Sequence, residues 1–191
     1  MKRISLVNVA QNLIRDALHP GDIAIDATVG NGHDTLFLAE QVGSSGRVYG
    51  FDIQQAAMDS TREKFQQAHK PECLTLIHVS HAVMDENVPT QYHGKINAIM
   101  FNLGYLPGGD KSVITLTDST LKALTIASRI FSPNGIITLL AYPGHQGGDQ
   151  ETDQVKNWCE QLNPDQFNVS IIYSAEHKES APRLFVIRKR G

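Results

Sequence analysis

Cysteine is nearly absent from this sequence: the two present in 191 residues, Cys73 and Cys159, stand far apart and form no C-x-x-C pair. They cannot build a disulfide framework, and no His/Cys cluster at zinc-ligand spacing accompanies them, so no metal is expected. Reduced thiols fit a cytoplasmic location. Aromatic residues are sparse at 7%, with a single tryptophan. No stretch of about 20 apolar residues is available to span a bilayer. The opening Met1-Lys2-Arg3-Ile4-Ser5-Leu6 is basic, but Asn8, Gln11, Asn12 and Arg15 interrupt any apolar core of a signal peptide. The chain is expected to stay where it is made, with no membrane partner. Positive charge is not in excess either: 17 Lys+Arg against 20 Asp+Glu leave a net charge of -3. Proteins that hold nucleic acid mainly by neutralising phosphates are usually basic, so bulk charge argues against RNA while leaving room for a local patch. Arg183, Arg188, Lys189 and Arg190 crowd together at the C-terminus, where they read as a solvated tail contributing a local positive surface.

What remains, 41% hydrophobic and 19% charged residues, is an ordinary globular composition. A chain of this length buries roughly 70% of its unfolded surface without staples. No repeat, linker or low-complexity tract marks a boundary, so residues 1–191 read as one domain. From Ser5 to Leu18 the apolar positions recur at helical spacing, with Ser5 placed as a cap and Pro20-Gly21 as a stop. Strands are predicted at 22–28, 47–53, 74–79, 96–102 and 135–142. Helices are predicted at 33–42, 54–69, 116–131 and 150–162, the last placing Trp158 in the core. Such alternation implies a mostly parallel sheet covered on both faces. The last two strands, 167–174 and 183–190, are too close in sequence for a parallel crossover, which needs about a dozen residues. They are expected to pair as an antiparallel hairpin. The fold class is therefore α/β and Rossmann-like, a mostly parallel seven-stranded sheet with a reversed C-terminal strand.

The chemistry-bearing residues gather at the carboxyl ends of these strands, where open α/β sheets bind ligands. Asp26-Ala27-Thr28-Val29-Gly30-Asn31-Gly32-His33-Asp34-Thr35 turns the first strand into its helix, and Gly30 and Gly32 would let a ligand approach the backbone. The third glycine of a dinucleotide G-x-G-x-x-G is replaced by Thr35. Asp52, ending the second strand, is placed to accept hydrogen bonds from both hydroxyls of an adenosine ribose. Asp26 and Asp34 would repel a pyrophosphate at this helix start and suit the amino and sulfonium charges of S-adenosylmethionine. Ser80-His81 falls where an adenine would lie. Asn102 and Tyr105, after the fourth strand, sit where an acceptor would meet the cofactor edge. The expectation is that Asn102 holds an amine and Tyr105 a nucleobase. His145, in the turn Tyr142-Pro143-Gly144-His145 after the fifth strand, is a candidate general base.

Four segments together, 26–35, Phe51-Asp52-Ile53-Gln54, Asn102-Leu103-Gly104-Tyr105-Leu106-Pro107-Gly108-Gly109 and Tyr142-Pro143-Gly144-His145, make the sequence resemble the YtqB/MnmM family of class I S-adenosylmethionine-dependent methyltransferases. The resemblance runs through almost the whole chain. It implies methyl transfer to the aminomethyl nitrogen of 5-aminomethyl-2-thiouridine at the tRNA wobble position, hence tRNA, through its anticodon stem-loop, as partner. It also implies cofactor contacts at Asn31, His33, Asp52, Gln54, Ser80 and His81, a loop shaped by Gly30 and Gly32, and a compact homodimeric enzyme without an added RNA-binding module. From the residues alone two alternatives stay open. One is a methyltransferase acting on rRNA, protein or a small molecule. The other is an NAD-dependent or non-catalytic nucleotide-binding domain, which the missing glycine and the reversed strand weaken.

Overall fold

The computed structural model describes residues 5–69, 71–104, 108, 114–144, 147–174 and 180–190. Strand and helix alternate in the order α1 (Leu6–Arg15), β1 (Ile23–Asp26), α2 (His33–Val42), β2 (Arg47–Phe51), α3 (Gln55–Gln67), β3 (Leu74–Ile77), α4 (Met84–Asn87), β4 (Ile96–Asn102), α5 (Thr117–Ile130), β5 (Phe131–Ala141), α6 (Gly148–Glu160), β6 (Phe167–Tyr173) and β7 (Arg183–Lys189). The seven strands form one sheet in the order β3-β2-β1-β4-β5-β7-β6. The strands from β3 across to β5 are parallel, and β7 runs antiparallel to both of its neighbours. The sequence order reverses between β1 and β4, which opens a crevice at their carboxyl ends.

Two apolar layers follow from the two-residue period of the strands. Ile25, Ile99, Phe101, Phe185 and Ile187 face α5 and α6, packing with Leu124, Ala127 and Val155. Ala24, Ala98, Met100, Leu184 and Val186 face the other way onto Leu6, Ala10 and Ile14 of α1 and Phe37 and Leu38 of α2. A strand buried on both faces needs no polar alternation, hence the continuous apolar runs of β4 and β5.

Several boundaries differ from the sequence pattern. The first helix stops at Arg15, because Asp16 to Leu18 close a tighter turn, yet Leu18 is still buried. Strand β5 starts at Phe131 directly after α5, its register against β4 shifting between Ile96 and Ala98. The short helix α4 lacks enough turns to show a period. Two of the basic residues expected in a solvated tail belong to the fold instead. The Arg183 guanidinium reaches Asp153 at 3.5 Å and lies 5.8 Å from the Tyr173 ring centre. Lys189 donates to the Phe131 carbonyl at 2.6 Å with its ammonium 4.4 Å from that ring's centre, and burial holds its pKa below the usual lysine range. Among the described residues no helix is long and apolar enough to cross a membrane.

The turn into β2 is closed by a glycine for steric reasons. A Cβ at Gly46 would stand 2.4 Å from Val42 Cβ and 2.6 and 2.7 Å from the carbonyl oxygens of Asp22 and Val42. Backbone cannot yield as a flexible side-chain tip can. Gly46→Ala is expected to cost about 1–3 kcal/mol of stability, measured by urea unfolding.

Candidate active site

The loop after β1 is stitched to both neighbouring strands. Ala27 N–H donates to the Met100 carbonyl of β4 at 2.8 Å, and Val29 N–H donates to the Phe51 carbonyl of β2 at 3.1 Å. Thr28 Oγ1 accepts from the Asn102 N–H at 2.7 Å. Beneath the loop, the Asp26 carboxylate accepts from Thr35 Oγ1 at 2.6 Å and from Thr28 N–H at 3.1 Å. Asp26 is 1% exposed, and burial first, then the nearby Asp34 charge, push its carboxyl up to about 7.

A cleft of about 760 Å³ opens above this loop. Nine residues anticipated from the sequence line it: Gly30, Asn31, His33, Asp34, Asp52, Gln54, Ser80, His81 and Asn102. Asp26, Gly32 and Thr35 do not line it. Asp26 and Thr35 face each other underneath, so Asp26 offers its oxygens to the loop as hydrogen-bond acceptors rather than to a ligand. Gly32 has φ +72°, and a Cβ there would meet Thr61 Oγ1 of α3 at 2.6 Å, so the glycine makes room for a helix and not for a ligand. Tyr105 and His145 lie outside the described residues. The structure adds lining residues that the motifs did not single out, including Thr28, Thr115, Ile53 and Leu116. Ile53 and Leu116 are 55% and 64% exposed, unusual for large apolar side chains at the mouth of a cleft. Their signal in sequence was an apolar residue just beyond a strand end and just before a helix.

Asp52 is held by two backbone donors, Gly30 N–H on Oδ2 and Gln54 N–H on Oδ1, each at 2.9 Å. A carboxylate has about four acceptor directions, so each oxygen keeps capacity for one further donor, the requirement of a vicinal diol. Ser80 caps the turn that follows, its Oγ accepting from Ala82 N–H at 3.2 Å. His81 Nδ1 lies 2.9 Å from the Ala27 carbonyl, so it carries the proton and donates. Nε2 is buried without a hydrogen-bond partner, and burial lowers the pKa, leaving the ring neutral at pH 7. With one nitrogen used and the other sealed, the ring serves the cleft as an apolar wall, edge-on to Phe101 at 5.8 Å. Across the cleft, Asp34 accepts from Gln11 Nε2 of α1 at 3.0 Å. Tyr142 has its hydroxyl pKa pushed up to about 12 by burial and, second, by the Asp34 charge. Asp34 and Asp52 make this end of the cleft acidic, a setting for a cation and not for a pyrophosphate.

The Asp26 carboxyl carries a pH signature. Its folded pKa of about 7 lies above the ordinary 3.8, so between those values the folded state holds a proton that the unfolded state has lost. Stability therefore falls as pH rises through that window, with a slope approaching about 1.4 kcal/mol per pH unit from this group. Asp26→Asn should remove that component, seen as a flatter pH profile of urea unfolding between about pH 5 and about pH 7.

The sequence matches the family described as "Putative rRNA methylase" over residues 48–188. A "putative rRNA-methylase" structure from Clostridium thermocellum is 34% identical, superimposes with a TM-score of 0.93, and each chain covers 100% of the other. A "putative methyltransferase" from Streptococcus mutans, solved in complex with SAH, is 32% identical with a TM-score of 0.86, covering 98% of this chain and 99% of that one. A curated Arabidopsis thaliana protein, "tRNA (mnm(5)s(2)U34)-methyltransferase, chloroplastic", is 43% identical over 162 residues, 81% of this chain; the chain spans 58% of that relative's length. The match runs from β2 through most of β7, and the structural agreement extends to the loop after β1 and to the reversed strand. On that combined ground the chain belongs to this methylase family and carries the class I methyltransferase fold.

Proposed function

We propose that the protein transfers a methyl group from S-adenosylmethionine to the aminomethyl nitrogen of 5-aminomethyl-2-thiouridine at the tRNA wobble position. The observation that carries this reading is the 43% identity, over 81% of the chain, to a relative named for the methylated product of that step. The cleft fits the cofactor. Asp52 retains acceptor capacity for the two ribose hydroxyls, His81 and the exposed Ile53 give apolar surface for adenine, and Asp34 supplies negative charge. When bound, S-adenosylmethionine brings a methyl already activated on a sulfonium. The protein's task is then alignment more than acid-base catalysis.

Asn102 suits that task. Its backbone N–H donates to Thr28 Oγ1 of the loop after β1 at 2.7 Å, which ties the end of β4 to that loop. The carboxamide orients the attacking amine in this reading, Tyr105 stacks on the base, and the ammonium proton leaves to solvent before attack. His145 stands in reserve as a general base. The family's description names rRNA, so an rRNA acceptor is the second reading. Family resemblance also makes a homodimer the expected assembly, read by sedimentation. The two buried thiols, Cys73 and Cys159, suit a reducing compartment such as the cytoplasm.

Methyl transfer from labelled cofactor to bulk tRNA from cells lacking the protein, followed by nucleoside mass spectrometry, should convert the aminomethyl nucleoside to its methylaminomethyl form. Label appearing in rRNA and not in tRNA would overturn the tRNA reading. Asp52→Ala should weaken S-adenosylmethionine binding by about 10- to 100-fold by calorimetry, the loss of charged hydrogen bonds. Asn102→Ala and Tyr105→Ala should instead lower turnover at saturating cofactor. Wild-type turnover in both would remove them from the acceptor site.

A further inference from the structure

The segments that follow β4 and β5 are joined by a buried carboxylate that takes no part in the chemistry above. Glu151, in the first turn of α6, is 3% exposed. Its Oε2 accepts from Thr115 Oγ1 at 2.8 Å, and its Oε1 accepts from Thr120 Oγ1 of α5, also at 2.8 Å. Thr115 Oγ1, having given its proton to Glu151, accepts from the Gly104 N–H at 3.0 Å. The Thr115 N–H returns a bond to the Gly104 carbonyl at 3.0 Å. Gly104 and Thr115 thus form a closed neck, with both amide and hydroxyl bonds across it, and Glu151 fixes which way the hydroxyl points. Both neck residues line the cleft, whereas Glu151 does not.

Burying a carboxylate is costly unless its oxygens are hydrogen-bonded, and the helix start favours the negative charge. A neutral side chain would close the gap between α5 and α6 at less cost. What the carboxylate does that an apolar residue cannot is to accept from two hydroxyls at once, so that Thr115 has its lone pairs, and not its proton, turned to Gly104. Gly104 is two residues beyond Asn102, and Leu103 N–H between them donates to the Leu140 carbonyl of β5 at 2.9 Å. The cleft wall carrying Asn102 is therefore held by Thr28 on the cofactor side and by the Glu151-backed neck on the other.

We propose that Glu151 is a positioning residue for the methyl acceptor, acting through Thr115 on the neck at Gly104 and so on the placement of Asn102 relative to the cofactor loop. This rests on the acceptor reading of the cleft given above. Because alignment supplies most of the catalysis in such a transfer, a small displacement of that wall should cost turnover while leaving the cofactor site intact.

The test compares Glu151→Ala, Glu151→Gln, Thr115→Val and Thr115→Ser in the full chain. Glu151→Ala and Thr115→Val should each lower kcat on tRNA by about 10- to 100-fold while leaving S-adenosylmethionine affinity within about twofold of wild type. The double variant should be no worse than either single one. Thr115→Ser, which keeps the hydroxyl, should restore turnover. Glu151→Gln, able to accept from only one hydroxyl, should fall between wild type and Glu151→Ala. Amide hydrogen exchange at Gly104 and Thr115 should speed up in the Ala and Val variants. Unchanged kcat, unchanged exchange at those two amides, or a kcat loss matched by an equal loss of cofactor affinity and a lowered melting temperature would each overturn the proposal. If the wild-type protein methylates no tRNA, the substrate reading fails on that control alone, and the exchange comparison still decides whether Glu151 holds the neck.

Discussion

One hydrogen bond, from the Thr35 hydroxyl to the buried Asp26 carboxylate, holds the shape on which the cleft depends. Asp26 ends β1 and Thr35 lies in the first turn of α2, so their contact sets how sharply the chain turns between them. The other Asp26 oxygen fixes Thr28 N–H, and Thr28 in turn receives the backbone of Asn102. The loop after β1 and the end of β4 are thus referred to a single buried group. Its raised pKa is the electrostatic side of that arrangement: enclosing an acidic group next to Asp34 favours the protonated form, and the hydrogen bonds only partly offset the burial.

The division of labour among the acidic residues follows from depth. Asp26 lies below the loop and shapes it, Asp52 at the tip of β2 keeps acceptor capacity outward, and Asp34 lends charge to the cleft while anchored to α1 through Gln11. Three carboxylates that look alike along the chain therefore do three different things. Glu151 adds a fourth use, a buried acceptor that directs hydroxyl protons rather than charge.

The architecture was legible because burial writes periodicity into the chain. The apolar runs at 96–101 and 136–140 reported strands covered on both faces, and the short 175–182 segment forced the reversed strand. Periodicity reports burial and not hydrogen bonding, which is why the first helix was extended to Leu18, a residue that is buried but not helical. The order of strands across the sheet left no local trace. At the site, nine of the residues that line the cleft were readable from their place at or just beyond strand ends, while Thr115 and Leu116, far from any motif, were not. Asp26 and Gly32 were not, since what decides their roles is a partner brought in by folding: Thr35 across the turn for one, Thr61 of another helix for the other. Glu151 was invisible for the same reason, as an acidic residue in a first helical turn is usually solvated.

The reversed strand also orders events during synthesis. Among the described residues, β6 pairs only with β7, and β7 connects it to β5. As the polypeptide leaves the ribosome, β6 emerges before the strand it needs, and β5, with Ile137 and Leu139 fully buried in the finished sheet, waits as an open apolar edge. β7, the last of the three in the chain, takes its place in the sheet between two strands made before it. Until then the nascent chain presents the kind of unpaired edge that invites association with other chains, and that holdase chaperones recognise.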